Sequence, residues 1–161
     1  MRLYIIRHAW AGDPGPEWPD DAERPLTDDG KRRFRKVVDA LGERGFAPRL
    51  VVTSPYVRAR QTADILVERL KSTPELQVLD ALQCGSDLDA ALRWTAARTE
   101  SEIAWVGHMP DVAVMTAALV GDGAAAFDFS KGAVAAVDFE GPPAVGAGVL
   151  RWFVTAKLLG C

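Results

Sequence analysis

Short apolar runs of β character alternate along this chain with longer stretches of helical periodicity, and that alternation restricts the fold more than any other feature. Arg2 to Arg7 (RLYIIR), Leu50 to Val52, a weaker Gln77 to Leu79 and Ile103 to Val106 are the strand candidates. Between the first two, Thr27 stands as an N-cap before Asp28 and Asp29, followed by Phe34, Val37, Val38 and Leu41 at helical spacing and by Gly45 as a stop. Ser54-Pro55 joins an N-cap residue to a proline at the first helical position and opens a second helix toward Leu70. Leu88 to Ala97 is a third helix, and Met109-Pro110-Asp111 begins a fourth. Strands separated by helices need right-handed crossovers and so form a mostly parallel sheet. Ala133 to Phe139 and Val149 to Val154 are joined only by the Gly/Pro-rich stretch EGPPAVGAG and should add an antiparallel pair. The expected fold is α/β, a three-layer α/β/α sandwich formed by one domain over residues 1–161.

A chain of 161 residues can bury a substantial core without disulfides or a structural metal. Its 48% hydrophobic and 25% charged content excludes a disordered or low-complexity protein. A net charge of -3 provides no overall attraction to nucleic acid or anionic membranes, so neither is an expected partner. The basic run Lys31, Arg32, Arg33, Arg35 and Lys36 is interrupted by Phe34 and flanked by Asp28, Asp29, Asp39 and Glu43, as a solvated helix face would be. The N-terminal apolar stretch is too short for a secretory segment, and no stretch is long enough to span a membrane. Cys84 and Cys161 read as free thiols. A cytoplasmic location is expected, with a monomer favoured but the oligomeric state left open.

The chain has two histidines, and each directly follows a β-type run: Tyr4-Ile5-Ile6 leads to Arg7-His8, and Ile103 to Gly107 leads to His108. Ligands of open α/β sheets bind beyond the carboxyl ends of the strands, so both imidazoles are expected in one crevice. The third strand end, Val52-Thr53-Ser54, leads into the helix whose first turn carries Arg58. Two arginines and two histidines around one crevice make a site for a dianion, because the guanidinium fork matches phosphate oxygens. Fixed cations around a phosphoryl group in flight lower its barrier by positioning and electrostatics, so neither a metal nor a cofactor is called for. His8 suits the nucleophile, since an imidazole of ordinary pKa about 6.5 carries a lone pair at neutral pH. The neighbouring arginines should hold it unprotonated. Its other nitrogen should donate to a carbonyl in the loop after Trp10, and His108 should supply a hydrogen bond or positive charge from the far side.

At these residues the chain resembles the histidine phosphatase superfamily, the phosphoglycerate-mutase-like proteins. Arg7-His8-Ala9 matches its first signature, Ser54 to Ala63 (SPYVRARQTA) its second arginine motif, and Gly107-His108-Met109-Pro110 its second histidine motif. Arg24-Pro25-Leu26-Thr27 with Gly30 fits the lead into the first helix, and Lys131-Gly132-Ala133 falls in a similarity to the short SixA-type phosphohistidine phosphatases that reaches the last strand. The resemblance implies a phosphoglycerate-mutase-like fold, His8 as phosphate acceptor, and Arg7, Arg58 and His108 as phosphate binders. It also implies hydrolysis of phosphohistidine on proteins, a place in signal transduction.

Two departures bear on the substrate. Ala9 stands where many members have glycine, though the SixA-type group often carries alanine there, and no glutamate marks a general acid. Asp13, Asp20, Asp21, Asp80 and Asp87 are the candidate acids, with solvated loop carboxylates as the alternative for each. An ester's alkoxide needs such an acid, whereas a phosphoramidate nitrogen is protonated more easily. The missing acid therefore favours a phosphorylated protein over a small phosphorylated metabolite. The alternatives are a phosphatase or mutase for a small phosphate ester and a non-catalytic phosphate-binding module. With no insertion to roof it, the crevice should be open, with Trp10 and Trp18 forming a hydrophobic rim or packing the loop onto the domain.

Overall fold

The strict alternation of the first strand explains the whole architecture. In the computed structural model, which describes residues 1–161, β1 spans Arg2–Arg7 at the middle of a six-stranded sheet. Leu3 and Ile5 enter one hydrophobic core while Tyr4 and Ile6 enter another, because successive side chains of a strand point to opposite faces. On the Tyr4 side lie α1 (Asp28–Gly42) and α2 (Val57–Arg69), through Phe34, Val37, Val38, Leu41, Ala63 and Leu66. On the Leu3 side lie α3 (Leu88–Ala96) and α4 (Asp111–Val120), through Ala91, Val112, Met115 and Leu119. The expected three-layer sandwich is what forms.

The remaining strands are β2 (Leu50–Thr53), β3 (Glu75–Val78), β4 (Glu102–Gly107), β5 (Val134–Asp138) and β6 (Val149–Val154). Their spatial order is β3-β2-β4-β1-β5-β6. The first four in sequence run parallel, and β5 and β6 supply the antiparallel pairing. β3 begins two residues before the expected strand and ends at Val78, because Leu79 turns the chain into a 3-10 turn at Asp80–Leu82.

The second helix also departs from expectation. It starts at Val57 rather than at Ser54-Pro55, and Tyr56 precedes it without a side-chain cap. Ser54 stands three residues before the first helical residue, where its hydroxyl is bonded to His108 and accepts only the Tyr56 N–H. The register then assembles the site edge: Arg7 lies opposite Gly107, and Thr53 opposite Val106. His8 N–H donates to Gly107 O at 2.9 Å and Ser54 N–H to Val106 O at 3.0 Å, so the residues that leave three strands remain side by side.

The loop between β1 and α1 leaves and returns at one point. Ala11 pairs with Leu26, and Thr27 N–H donates to Trp10 O at 3.0 Å. Gly30 permits this return, since a Cβ there would lie 2.1 Å from Trp10 O. The basic run of α1 is a solvated face as expected: Lys31 pairs with Asp28, Arg32 with Asp29 and Arg35 with Glu68, while Arg33 stacks on Trp10. No helix is long and apolar enough to cross a membrane.

Candidate active site

His8 and His108 face each other at the carboxyl edge of the sheet, their ring centroids 5.2 Å apart. Both are buried, at 6% and 1% exposure, and Arg58 beside them is 3% exposed. His8 Nδ1 lies 2.7 Å from the carbonyl of Ala9, and a ring nitrogen against a carbonyl must be the one that bears hydrogen. The Nε2 lone pair is therefore the one left available. The expected acceptor lay beyond Trp10, but the carbonyl of the very next residue is within reach and needs no loop.

Each of the other three side chains is held by some atoms and left unpaired at another. Arg7 donates from one terminal nitrogen to Phe129 O at 2.7 Å, while its Nε is buried without a partner. Arg58 donates to Asp21 O at 2.6 Å, forms an ion pair with the Asp21 carboxylate at 2.9 Å and reaches Cys84 Sγ at 3.7 Å. Its Nε too is buried and unpaired. His108 Nε2 lies 2.8 Å from Ser54 Oγ, which also accepts the Tyr56 N–H at 3.3 Å, and His108 Nδ1 has no partner. The Tyr56 ring is tilted against His108, with centroids 5.0 Å apart, and lies under the Arg58 guanidinium at 5.0 Å.

Burial is the main reason that both imidazoles are driven down to a pKa of about 3. The charges of Arg7 and Arg58 add to the effect on both rings, so the arginines reinforce a neutrality that desolvation establishes. His108 is accordingly neutral and offers a hydrogen bond, not the positive charge allowed for it from sequence. Burial also lowers the pKa of the Arg7 guanidinium and raises that of the Cys84 thiol. No three His, Cys, Asp or Glu side chains come together as a metal-ligand set.

A model of the histidine phosphatase superfamily, branch 1, matches residues 3–84. The chain belongs to that superfamily. Phosphohistidine phosphatase SixA of Escherichia coli K12 is 28% identical over 155 residues, covering 94% of this chain and 92% of that protein. An uncharacterized protein of Picosynechococcus is 36% identical over 115 residues, 70% of this chain and 68% of its own length. A structure of the protein histidine phosphatase SixA in complex with tungstate superposes with a TM-score of 0.86 at 25% identity, covering 99% of each chain. The fold of this histidine phosphatase is thus of the SixA type.

Sequence reasoning placed His8, Arg7, Arg58 and His108 in one crevice, and the structure brings them together. It separates the candidate acids. Asp21 is bound by Arg24 at 2.8 Å and by Arg58, and these partners hold its carboxyl below the usual carboxylate range. Asp20 accepts the Ala22 N–H and Asp87 the Ala90 N–H, which are capping roles, and Asp13 and Asp80 are exposed. Trp10 belongs under Arg33 and against the core, not on a rim. The crevice is also less open than expected, since the loop returning at Leu26 lays Asp21 over Arg58.

Sequence reasoning missed Ser54 as the partner of His108, and it missed Thr62. The Thr62 hydroxyl accepts the Ala9 N–H at 3.0 Å and donates to Arg58 O at 2.7 Å, tying the residue after His8 to the turn that carries Arg58. A hydroxyl one helical turn after Arg58 was the only available signal.

Proposed function

We propose that this protein hydrolyses phosphohistidine on proteins through a covalent intermediate on His8. The observation that carries the reading is the trio of buried, unpaired nitrogens, Arg7 Nε, Arg58 Nε and His108 Nδ1, on the side chains beside His8. Buried donors without partners are costly, and a tetrahedral oxyanion would satisfy them. Tungstate in the SixA structure is such an anion, which supports the reading.

His8 Nε2 attacks phosphorus, and its new N–P bond forms as the N–P bond to the substrate imidazole breaks. The departing imidazole keeps that electron pair and takes a proton from solvent. Arg7 and Arg58 neutralise the charge spread over the equatorial oxygens, while Ser54 donates to His108 Nε2 so that Nδ1–H faces an oxygen. Ala9 O holds the His8 tautomer throughout. Water then attacks the phosphoryl group, releasing inorganic phosphate and restoring the His8 lone pair. Asp21, tied to two arginines, is ionised and has no proton to give, which suits a phosphoramidate better than an ester. Two free cysteines suit a reducing cytoplasm, and removing phosphoryl groups from histidine would place this enzyme in signal transduction.

Brief exposure to a radiolabelled phosphohistidine protein should leave acid-labile label on His8, with inorganic phosphate released at later times. His8→Ala should abolish both. Full activity in that variant would refute the nucleophile assignment, and faster turnover of phosphoserine peptides or sugar phosphates would refute the substrate.

A further inference from the structure

The floor of the crevice is cationic, but the charges that surround it are of the opposite sign. Asp21 lies 2.9 Å from Arg58, and Asp20 directly precedes it and caps the same short turn by accepting the Ala22 N–H at 2.9 Å. Asp111, at the start of α4, accepts the Gly85 N–H at 3.0 Å and bears on Cys84, which touches Arg58. Asp128, in the segment before β5, directly precedes Phe129, whose carbonyl accepts from Arg7 at 2.7 Å. These carboxylates come from three separate segments, and Asp20, Asp21 and Asp128 are exposed. Asp21 is balanced by Arg24 and Arg58, but no such partner is bonded to Asp20, Asp111 or Asp128. Arg24 is consumed by Asp21 and Gly12 O, and Lys131 is a single half-buried side chain.

Resting on the phosphohistidine reading, we infer that the site is shaped for a phosphoryl group set among lysine and arginine side chains, so that a basic patch of the partner protein docks on this ring of carboxylates. The unpaired Nε of Arg58 and Nδ1 of His108, on side chains 3% and 1% exposed, mark where the phosphoryl group goes. Whatever flanks that group meets Asp20, Asp111 and Asp128. A sugar bisphosphate or nucleotide must carry its second anionic group past the same carboxylates and is repelled, whereas flanking cations are drawn in. The ring therefore selects by what stands beside the phosphoryl group, which the four floor residues cannot do.

The test uses the whole protein and two phosphohistidine peptides of equal length, one flanked by Lys and Arg and one by Asp and Glu. At about 20 mM salt the basic peptide should have a kcat/KM about tenfold higher or more, a preference that falls to about twofold or less at about 500 mM salt. The combined variant Asp20→Asn, Asp111→Asn and Asp128→Asn keeps an oxygen to accept the Ala22 and Gly85 N–H groups. It should lower the preference for the basic peptide and at the same time tighten inhibition by inorganic phosphate. Those opposite shifts are not what a folding defect produces. Equal kcat/KM for the two peptides at low salt, or unchanged phosphate inhibition in the variant, would overturn the inference while leaving the proposed function standing. Failure to hydrolyse either peptide alongside turnover of a small phosphate ester would remove the proposed function, and this inference with it.

Discussion

Arg2 and Arg7 begin and end the same strand, and their surroundings could hardly differ more. Arg2 donates from two nitrogens to the two oxygens of Asp138, at 2.6 and 2.9 Å, and Arg151 reaches the same carboxylate at 2.7 Å. Nearby, Tyr4 donates to Glu102 at 2.7 Å, so the charges at this end are matched. Arg7 makes one side-chain hydrogen bond and keeps a buried nitrogen unsatisfied. A cleft of about 610 Å³ lies at the Arg2 end, lined by Arg2, Glu102, Asp138 and Arg151. Space alone thus does not identify the site. At Arg2 every nearby charge has a partner, whereas at Arg7 a polar nitrogen is left without one under cover, as the proposed anion site requires.

The contrast breaks most sharply at Arg58. Arg58→Ala should lower kcat/KM more than tenfold, about 1.4 kcal/mol or more of transition-state stabilisation, with weaker phosphate inhibition to match. Unchanged kinetics would mean that its unpaired nitrogen serves no anion. The next effect concerns pH and stability. Both histidines are held near a pKa of about 3 when folded, so below the ordinary value of about 6.5 the unfolded chain binds protons that the folded chain refuses. Stability should be fully retained above that range and fall as the pH drops from about 6.5 toward 3, by at most about 1.4 kcal/mol per pH unit for each histidine. Denaturant titrations at several pH values should show the slope, and His108→Asn should remove one histidine's share of it.

The smallest effect belongs to the paired end. Arg2→Ala should cost about 1 kcal/mol or less, since Arg2 is partly exposed, and should leave kcat unchanged. A large loss of activity there would erase the distinction between the two ends. Asp138 is held at about 2 by its arginine partners, so its stabilising contribution is complete above the unfolded carboxylate pKa and is lost as the pH falls from there through about 2. Acid should therefore weaken the histidine end first and the Arg2 end last.

The four floor residues were legible in the sequence because each follows, or nearly follows, an apolar run, and parallel register turns that placement into contact. The role of Ser54 was not legible. A Ser-Pro pair after a strand serves equally as a helix cap, and the partner its hydroxyl takes here, His108, is 54 positions away. Asp21 could not be picked from five carboxylates for a related reason: its meeting with Arg58 depends on where the loop closes, at Ala11 and Leu26. The bounds of β3 blurred because it is a partly exposed edge strand with no continuous buried run to mark it.

Thr62 has the widest reach of the details described above. Because its hydroxyl grips the chain just after His8 on one side and the Arg58 carbonyl on the other, the end of the first strand and the first turn of the second helix share one anchor. Valine at this position would match the volume yet leave the buried Ala9 N–H without its acceptor, costing stability and freeing His8 from Arg58 together.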